Sequence, residues 1–69
     1  MNSFRFNLVI TRKRRNYTQR QMADFIGVTE SCYAHWEQGR NEPSIDFIIR
    51  ICKVLDVSAD EILGVNENQ

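Results

Sequence analysis

The segment Ile26-Gly27-Val28-Thr29-Glu30 constrains the chain most, because it sets a helix stop and a helix start almost back to back. Glycine accepts the positive φ at which helices end, and threonine caps a helix N-terminus by accepting from an orphan backbone N–H. The helix that stops at Gly27 has its own start signal in Thr18-x-x-Gln21, a capping box in which hydroxyl and amide each satisfy one such donor. Met22, Ala23, Phe25 and Ile26 supply its apolar side, and the next helix runs from about Glu30 to Gln38, where Gly39 ends it. Helices joined by so short a link cross steeply and need a small residue where their backbones approach; Ala23 fits that place.

The same signals recur on both sides. A first helix, about Phe4–Arg15, carries Phe4, Leu8 and Thr11 on one side and ends in Arg12-Lys13-Arg14-Arg15, cations suited to the negative end of the helix dipole. After the loop Arg40-Asn41-Glu42-Pro43, Ser44 caps a fourth helix, about Ile45–Leu55. Ser58-x-x-Glu61 is a second capping box, opening a short fifth helix that ends near Leu63 and Gly64. No strand-like alternation interrupts the series. The expectation is an all-α, compact five-helix domain over residues 1–64 with a frayed tail over 65–69. A chain of 69 residues has one small core, since a domain of this size buries only about 60% of its unfolded surface.

The fourth helix is more apolar than such a core requires. Ile45, Ile48, Cys52 and Leu55 form one stripe and Phe47, Ile51 and Val54 another, leaving Asp46, Arg50 and Lys53 for solvent. A surface helix needs one stripe, so the excess calls for a second packing surface. It is either the centre of the fold or part of a subunit interface, for which Phe47, Val54, Leu63 and Val65 are the candidates.

A formal net charge of zero hides an asymmetry. Residues 1–40 hold seven bases against three acids, and residues 41–69 two bases against six acids, so the halves carry +4 and −4. A polyanionic partner would meet the first half, through focused contacts rather than a generally basic surface. Cys32 and Cys52 are too few and too far apart for a disulfide framework, and Cys32-x-x-His35 lacks a second ligand pair, so no metal is expected. Nothing resembles a signal peptide, and no apolar run approaches the ~18 residues of a membrane span. The expected setting is the cytoplasm, with reduced thiols and no membrane contact. No paired carboxylates, metal-ligand set or glycine-rich phosphate loop points to an enzyme, a cofactor or a small-molecule ligand.

Thr18-Gln19-Arg20-Gln21-Met22-Ala23-Asp24-Phe25-Ile26-Gly27-Val28-Thr29 resembles the opening of the Cro/repressor-type (XRE-like) helix-turn-helix family. The likeness continues through Trp36-Glu37-Gln38-Gly39-Arg40 and Pro43-Ser44-Ile45 to Leu55-Asp56-Val57-Ser58-Ala59-Asp60-Glu61-Ile62-Leu63, covering roughly residues 6–63. These tripeptides are individually common; their order and spacing are specific. The resemblance implies a lambda-repressor-like fold and a sequence-specific transcriptional regulator, a repressor above all, that reads the major groove of double-stranded DNA with its third helix. It also implies a homodimer on a near-palindromic operator. The family's base-contacting positions fall on Glu30, Ser31 and His35, with Ala34 close enough to touch a thymine methyl. Gln19 matches a phosphate-binding position at the start of the second helix, and Thr18 and Arg40 match further backbone-contacting positions. From the basic run, Arg14 is the further phosphate candidate. The acid at Glu37 matches one that pairs with a first-helix arginine, here Arg12.

The chain also departs from the family pattern. Glu30 stands where Arg, Gln or Lys is commoner, Tyr33 where Ile or Val is usual, and Thr11 where Leu is usual. A carboxylate is repelled by phosphate and accepts only from a donor such as cytosine N4, so Glu30 would narrow the sequences read; its plain alternative is an acid at the positive end of a helix. Trp36, which could stack on a base, is read as a packing residue, and Cys32 and Cys52 as small helix residues. A competing reading comes from the acidic second half and the oversized apolar face: an antitoxin-like or other protein-interaction module built on the fourth helix.

Overall fold

The computed structural model describes residues 2–65, arranged as α1 (Asn2–Arg14), α2 (Gln19–Ile26), α3 (Glu30–Gln38), α4 (Ile45–Leu55) and α5 (Ala59–Leu63). Of the tail expected over 65–69, only Val65 lies within the described residues. Four helices start on a hydroxyl that accepts from the N–H three residues on. Thr18 takes Gln21 N at 3.0 Å, Thr29 takes Cys32 N at 3.1 Å, Ser44 takes Phe47 N at 3.4 Å and Ser58 takes Glu61 N at 3.1 Å. At Thr18 the box is complete, because Gln21 Oε1 accepts from Thr18 N at 2.9 Å.

The C-terminal ends are satisfied in a way the local sequence does not announce. The last carbonyls of a helix lack intrahelical partners and carry the negative end of its dipole. Here each end after α1 receives a donor from another part of the chain. Arg50 on α4 donates to Ile26 O of α2 at 3.1 Å, Arg5 on α1 to Gln38 O of α3 at 2.9 Å, and Arg15 to Leu55 O of α4 at 3.0 Å. Asn7 on α1 donates to Glu61 O and Ile62 O of α5 at 3.2 and 3.3 Å. Gly39 is needed for one of these contacts: its φ is +77°, and a Cβ there would stand 2.6 Å from Arg5 Nη1.

The core draws on every helix: Phe4 and Leu8 of α1, Met22, Ala23 and Ile26 of α2, Tyr33 and Trp36 of α3, Ile51 and Leu55 of α4, and Ile62 of α5. α1 packs on α3 and α5, α2 on α3 and α4, and α4 on α5. Phe25, placed by sequence on the apolar side of α2, is 53% exposed and meets Tyr17 edge to face, with ring centroids 5.2 Å apart. Met22, Ala23 and Ile26 already fill the inward arc, and Phe25 falls beyond its edge. On α4 the two expected stripes are unequal. Ile51 and Leu55 are buried, Phe47, Ile48, Cys52 and Val54 pack partly against the core, and Ile45 and Ile49 remain 75% and 47% exposed. Ile49 is two residues from Ile51 and so lies nearly opposite it on the helix.

Tyr33, unusual at its place in the motif, is wholly buried, and its hydroxyl lies beside the Arg12–Glu37 pair without a hydrogen-bond partner. Burial pushes the phenol far above its ordinary pKa. A buried polar atom left unpaired costs free energy that a phenyl ring would not. Tyr33→Phe removes that cost together with the support the hydroxyl gives the Glu37 carboxylate, so stability in urea unfolding is expected to change by less than about 1 kcal/mol; a clear loss would show that the hydroxyl has a partner in solution.

Candidate nucleic-acid interface

Gly27, Val28 and Thr29 make the whole connection between α2 and α3. Gly27 adopts φ +91°, and the N–H groups of Gly27 and Val28 both close on Ala23 O, at 2.8 and 3.0 Å. Ala23 is buried at 2% exposure in the core beside that turn, as a close crossing of two helices requires. α3 is held from inside by Tyr33 and Trp36, whose rings meet edge to face at 5.9 Å, while Trp36 reaches Phe47 of α4 at 5.4 Å.

The other side of α3 is open. Glu30 and Ser31 are exposed in its first turn, and Ala34 and His35 are half-buried one turn later. The spacing i, i+1, i+4, i+5 gathers these four along one edge at the N-terminal end of the helix. The structure thus places Glu30, Ser31, Ala34 and His35 together.

A buried polar cluster supports this surface from behind. Arg12 Nε and Nη2 donate to the two oxygens of Glu37 at 2.6 and 3.1 Å, and Arg12 Nη1 donates to Tyr17 O at 2.8 Å. Their side chains are 11% and 5% exposed. Gln19, the first residue of α2, donates from Nε2 to Glu37 Oε1 at 2.9 Å. Burial alone would push the Glu37 carboxyl up, but the hydrogen bonds from Arg12 and Gln19 outweigh it and hold the group below its ordinary value. The Arg12 guanidinium is raised in turn by its hydrogen bond to Glu37.

Of the seven cations in the first forty residues, Arg5, Arg12 and Arg15 are engaged as described. Lys13, Arg14, Arg20 and Arg40 are exposed and make no side-chain hydrogen bond or ion pair among the described residues. Arg20 follows Gln19 in the first turn of α2, and Arg40 follows the glycine that ends α3. Arg14 borders a groove between α1 and α5 that Asp60 and Glu61 also line, an unfavourable setting for a phosphate. The candidate interface residues Leu63 and Val65 differ: Leu63 packs partly against the core, and Val65 is 56% exposed. Among the described residues no three His, Cys, Asp or Glu side chains are grouped so as to hold a metal ion, and no helix is long and apolar enough to cross a membrane.

Two helices hinged on a glycine turn, the second anchored from inside and open along a polar edge, define a helix-turn-helix domain. The chain belongs to the helix-turn-helix family of the Cro/repressor (XRE) type, whose model matches residues 10–62. Among its relatives are an uncharacterized HTH-type transcriptional regulator, YqaE, of Bacillus subtilis, 39% identical over 96% of this chain and 57% of its own length. The transcriptional repressor RstR of the cryptic phage CTXphi, from Vibrio cholerae, is 39% identical over 84% of this chain and 54% of its own. The HTH-type transcriptional regulator AnsR of Bacillus subtilis is 34% identical over 77% and 46%. The chain thus spans about half the length of the curated relatives it matches. No solved structure matches it significantly.

Sequence reasoning missed the Gln19–Glu37 hydrogen bond and the arginines on helix ends. Arg5 and Gln38 lie 33 residues apart, and Arg15 and Leu55 lie 40 apart. No local spacing rule relates residues so distant.

Proposed function

We propose that this chain is a sequence-specific DNA-binding transcriptional regulator, probing the major groove with α3. The observation that carries the reading is the open edge of Glu30, Ser31, Ala34 and His35 on a helix whose other side is anchored by Tyr33 and Trp36. Serine and histidine can donate to or accept from base edges, Ala34 can meet a thymine methyl, and Glu30 accepts only, which suits cytosine N4. Thr18, Gln19 and Arg40 would set the register by contacting phosphates, Gln19 together with the free N–H groups at the start of α2. Arg14 is the weakest of the phosphate candidates, given the acids beside it. One module of this size covers little DNA, so useful affinity calls for a homodimer on a near-palindromic operator with half-sites about 34 Å apart. Repression by occlusion of a promoter, in the cytoplasm and without catalysis, is the form of regulation that fits; the likeness to a phage repressor supports it.

The experiment is selection of binding sites from a random duplex library, followed by footprinting of variants. Ser31→Ala and His35→Ala should each relax preference at one or two base pairs, at about 1–3 kcal/mol for a base contact. Gln19→Ala should weaken all sequences alike. Unchanged base preference in both α3 variants would show that the reader lies elsewhere. A second reading has one observation in its favour: Ile45 and Ile49 stand one turn apart and exposed on α4, a surface for a protein partner as in an antitoxin-like module. Light scattering with and without DNA distinguishes the two, since that reading requires a chain with no affinity for duplex.

A further inference from the structure

The buried ion pair reaches beyond the α1–α3 contact. Glu37 Oε1 accepts from Arg12 Nη2 at 3.1 Å and also from Gln19 Nε2 at 2.9 Å, joining the ion pair to the first residue of α2. A glutamine side chain has a donor end and an acceptor end of nearly equal shape, and in isolation it can present either one outward. An ionised carboxylate only accepts, so it can face only the NH2 end. We propose that Glu37 is a positioning residue for DNA binding: it fixes the Gln19 amide with one N–H on its own carboxylate and the second N–H free for a DNA phosphate. The proposal rests on the reading of Gln19 as a phosphate contact.

Several features of the site cooperate. Arg12 keeps Glu37 in the accepting form and, through Tyr17 O, holds the residue preceding the cap of α2. The Thr18 cap then sets the backbone from which Gln19 projects. Were Glu37 unable to discriminate, the amide could turn its carbonyl oxygen toward the phosphate, where two acceptors meet and no bond forms. An acid in the core, which never touches DNA, thereby governs which atom the domain offers to the backbone.

A double-mutant cycle tests this, using a fluorescently labelled mixed-sequence DNA duplex at low ionic strength as the probe. Gln19→Ala, Glu37→Gln and the double variant are compared at a temperature where circular dichroism shows all of them folded. Each single substitution should weaken binding about tenfold, the scale of one hydrogen bond to a charged group. The double variant should bind no more weakly than the weaker single one. If the two losses multiply instead, Glu37 acts separately from Gln19 and the positioning role is overturned, with the phosphate contact left standing. If Gln19→Ala binds as tightly as the parent, the phosphate contact itself falls and takes the proposal with it. Should Glu37→Gln fail to fold, the parent protein decides the matter by NMR without DNA. The Gln19 side-chain N–H signals should move with the titration of the Glu37 carboxyl, with Arg12 and Tyr33 the other titratable groups against it. Signals that stay fixed would overturn the coupling.

Discussion

Replacing Arg12 by alanine is expected to lower the stability of the domain by about 3–5 kcal/mol, the usual result of leaving one member of a buried pair alone. A protein of this size has only about 5–10 kcal/mol in total, so the variant should sit close to its unfolding transition at room temperature. The loss has three sources: Glu37 is left as a carboxylate 5% exposed, Tyr17 O loses its donor, and the link between α1, α3 and the start of α2 disappears. Its pH dependence follows from the Glu37 carboxyl. In the parent protein burial pushes that group up and the bonds from Arg12 and Gln19 pull it further down, so the folded state holds its proton less tightly than the unfolded state. The resulting stabilisation is complete above the unfolded-state value and fades as pH falls through the folded one. In Arg12→Ala, burial without its main counterweight reverses the sign, and the lone carboxylate costs most at neutral pH. Urea unfolding from neutral to acid pH should show the gap between parent and variant narrowing as pH falls. A gap independent of pH would mean that the pair contributes through packing alone.

Trp36→Ala should be comparably damaging, at about 3–5 kcal/mol. Trp36 is 3% exposed and touches Tyr33 on its own helix and Phe47 on α4, so its removal opens a cavity where α3 meets the rest of the core. For a domain this small each kcal/mol moves the melting temperature by about 4–8 °C, so a drop of at least ~12 °C is expected. Circular dichroism has to follow the melt, because Trp36 is the single tryptophan. The contrast is Gln38→Ala, which removes an exposed side chain and should change little. A small effect of Trp36→Ala would remove the ground for treating α3 as a rigidly held element.

The sequence showed where the four helices after α1 begin, for a physical reason, while α1, which has no cap signal, starts at Asn2 rather than about Phe4. Caps at Thr18, Thr29, Ser44 and Ser58 act over three residues, within reach of a local pattern. The core positions of α1, α2 and α3 follow from periodicity almost as directly. Phe25 and Ile49 escape that logic, because a hydrophobic residue at the margin of an arc is buried or open according to what the neighbouring helix brings. Glu30, Ser31, Ala34 and His35 came from the resemblance to the family; that the four share one edge follows from helical spacing alone. The destination of each arginine was not legible. Arg14 and Arg15 are adjacent and chemically identical, yet Arg15 closes on Leu55 O and Arg14 lines a groove with two acids. Only the packing of α1 against its neighbours separates them.

The engagement of Arg5 and Arg15 on helix ends, and of Arg12 in the buried pair, also bears on how this domain responds to its ionic surroundings. Polycation binding to a duplex is driven by releasing the small ions condensed around it, with a log–log slope of about −0.9 per neutralised phosphate. Only Lys13, Arg14, Arg20 and Arg40 remain for that purpose in the basic half. If those four alone meet phosphates, each protomer would show a slope of about −4. A homodimer would then approach a slope of about −7, so a doubling of the salt concentration would weaken its hold on the duplex by roughly two orders of magnitude.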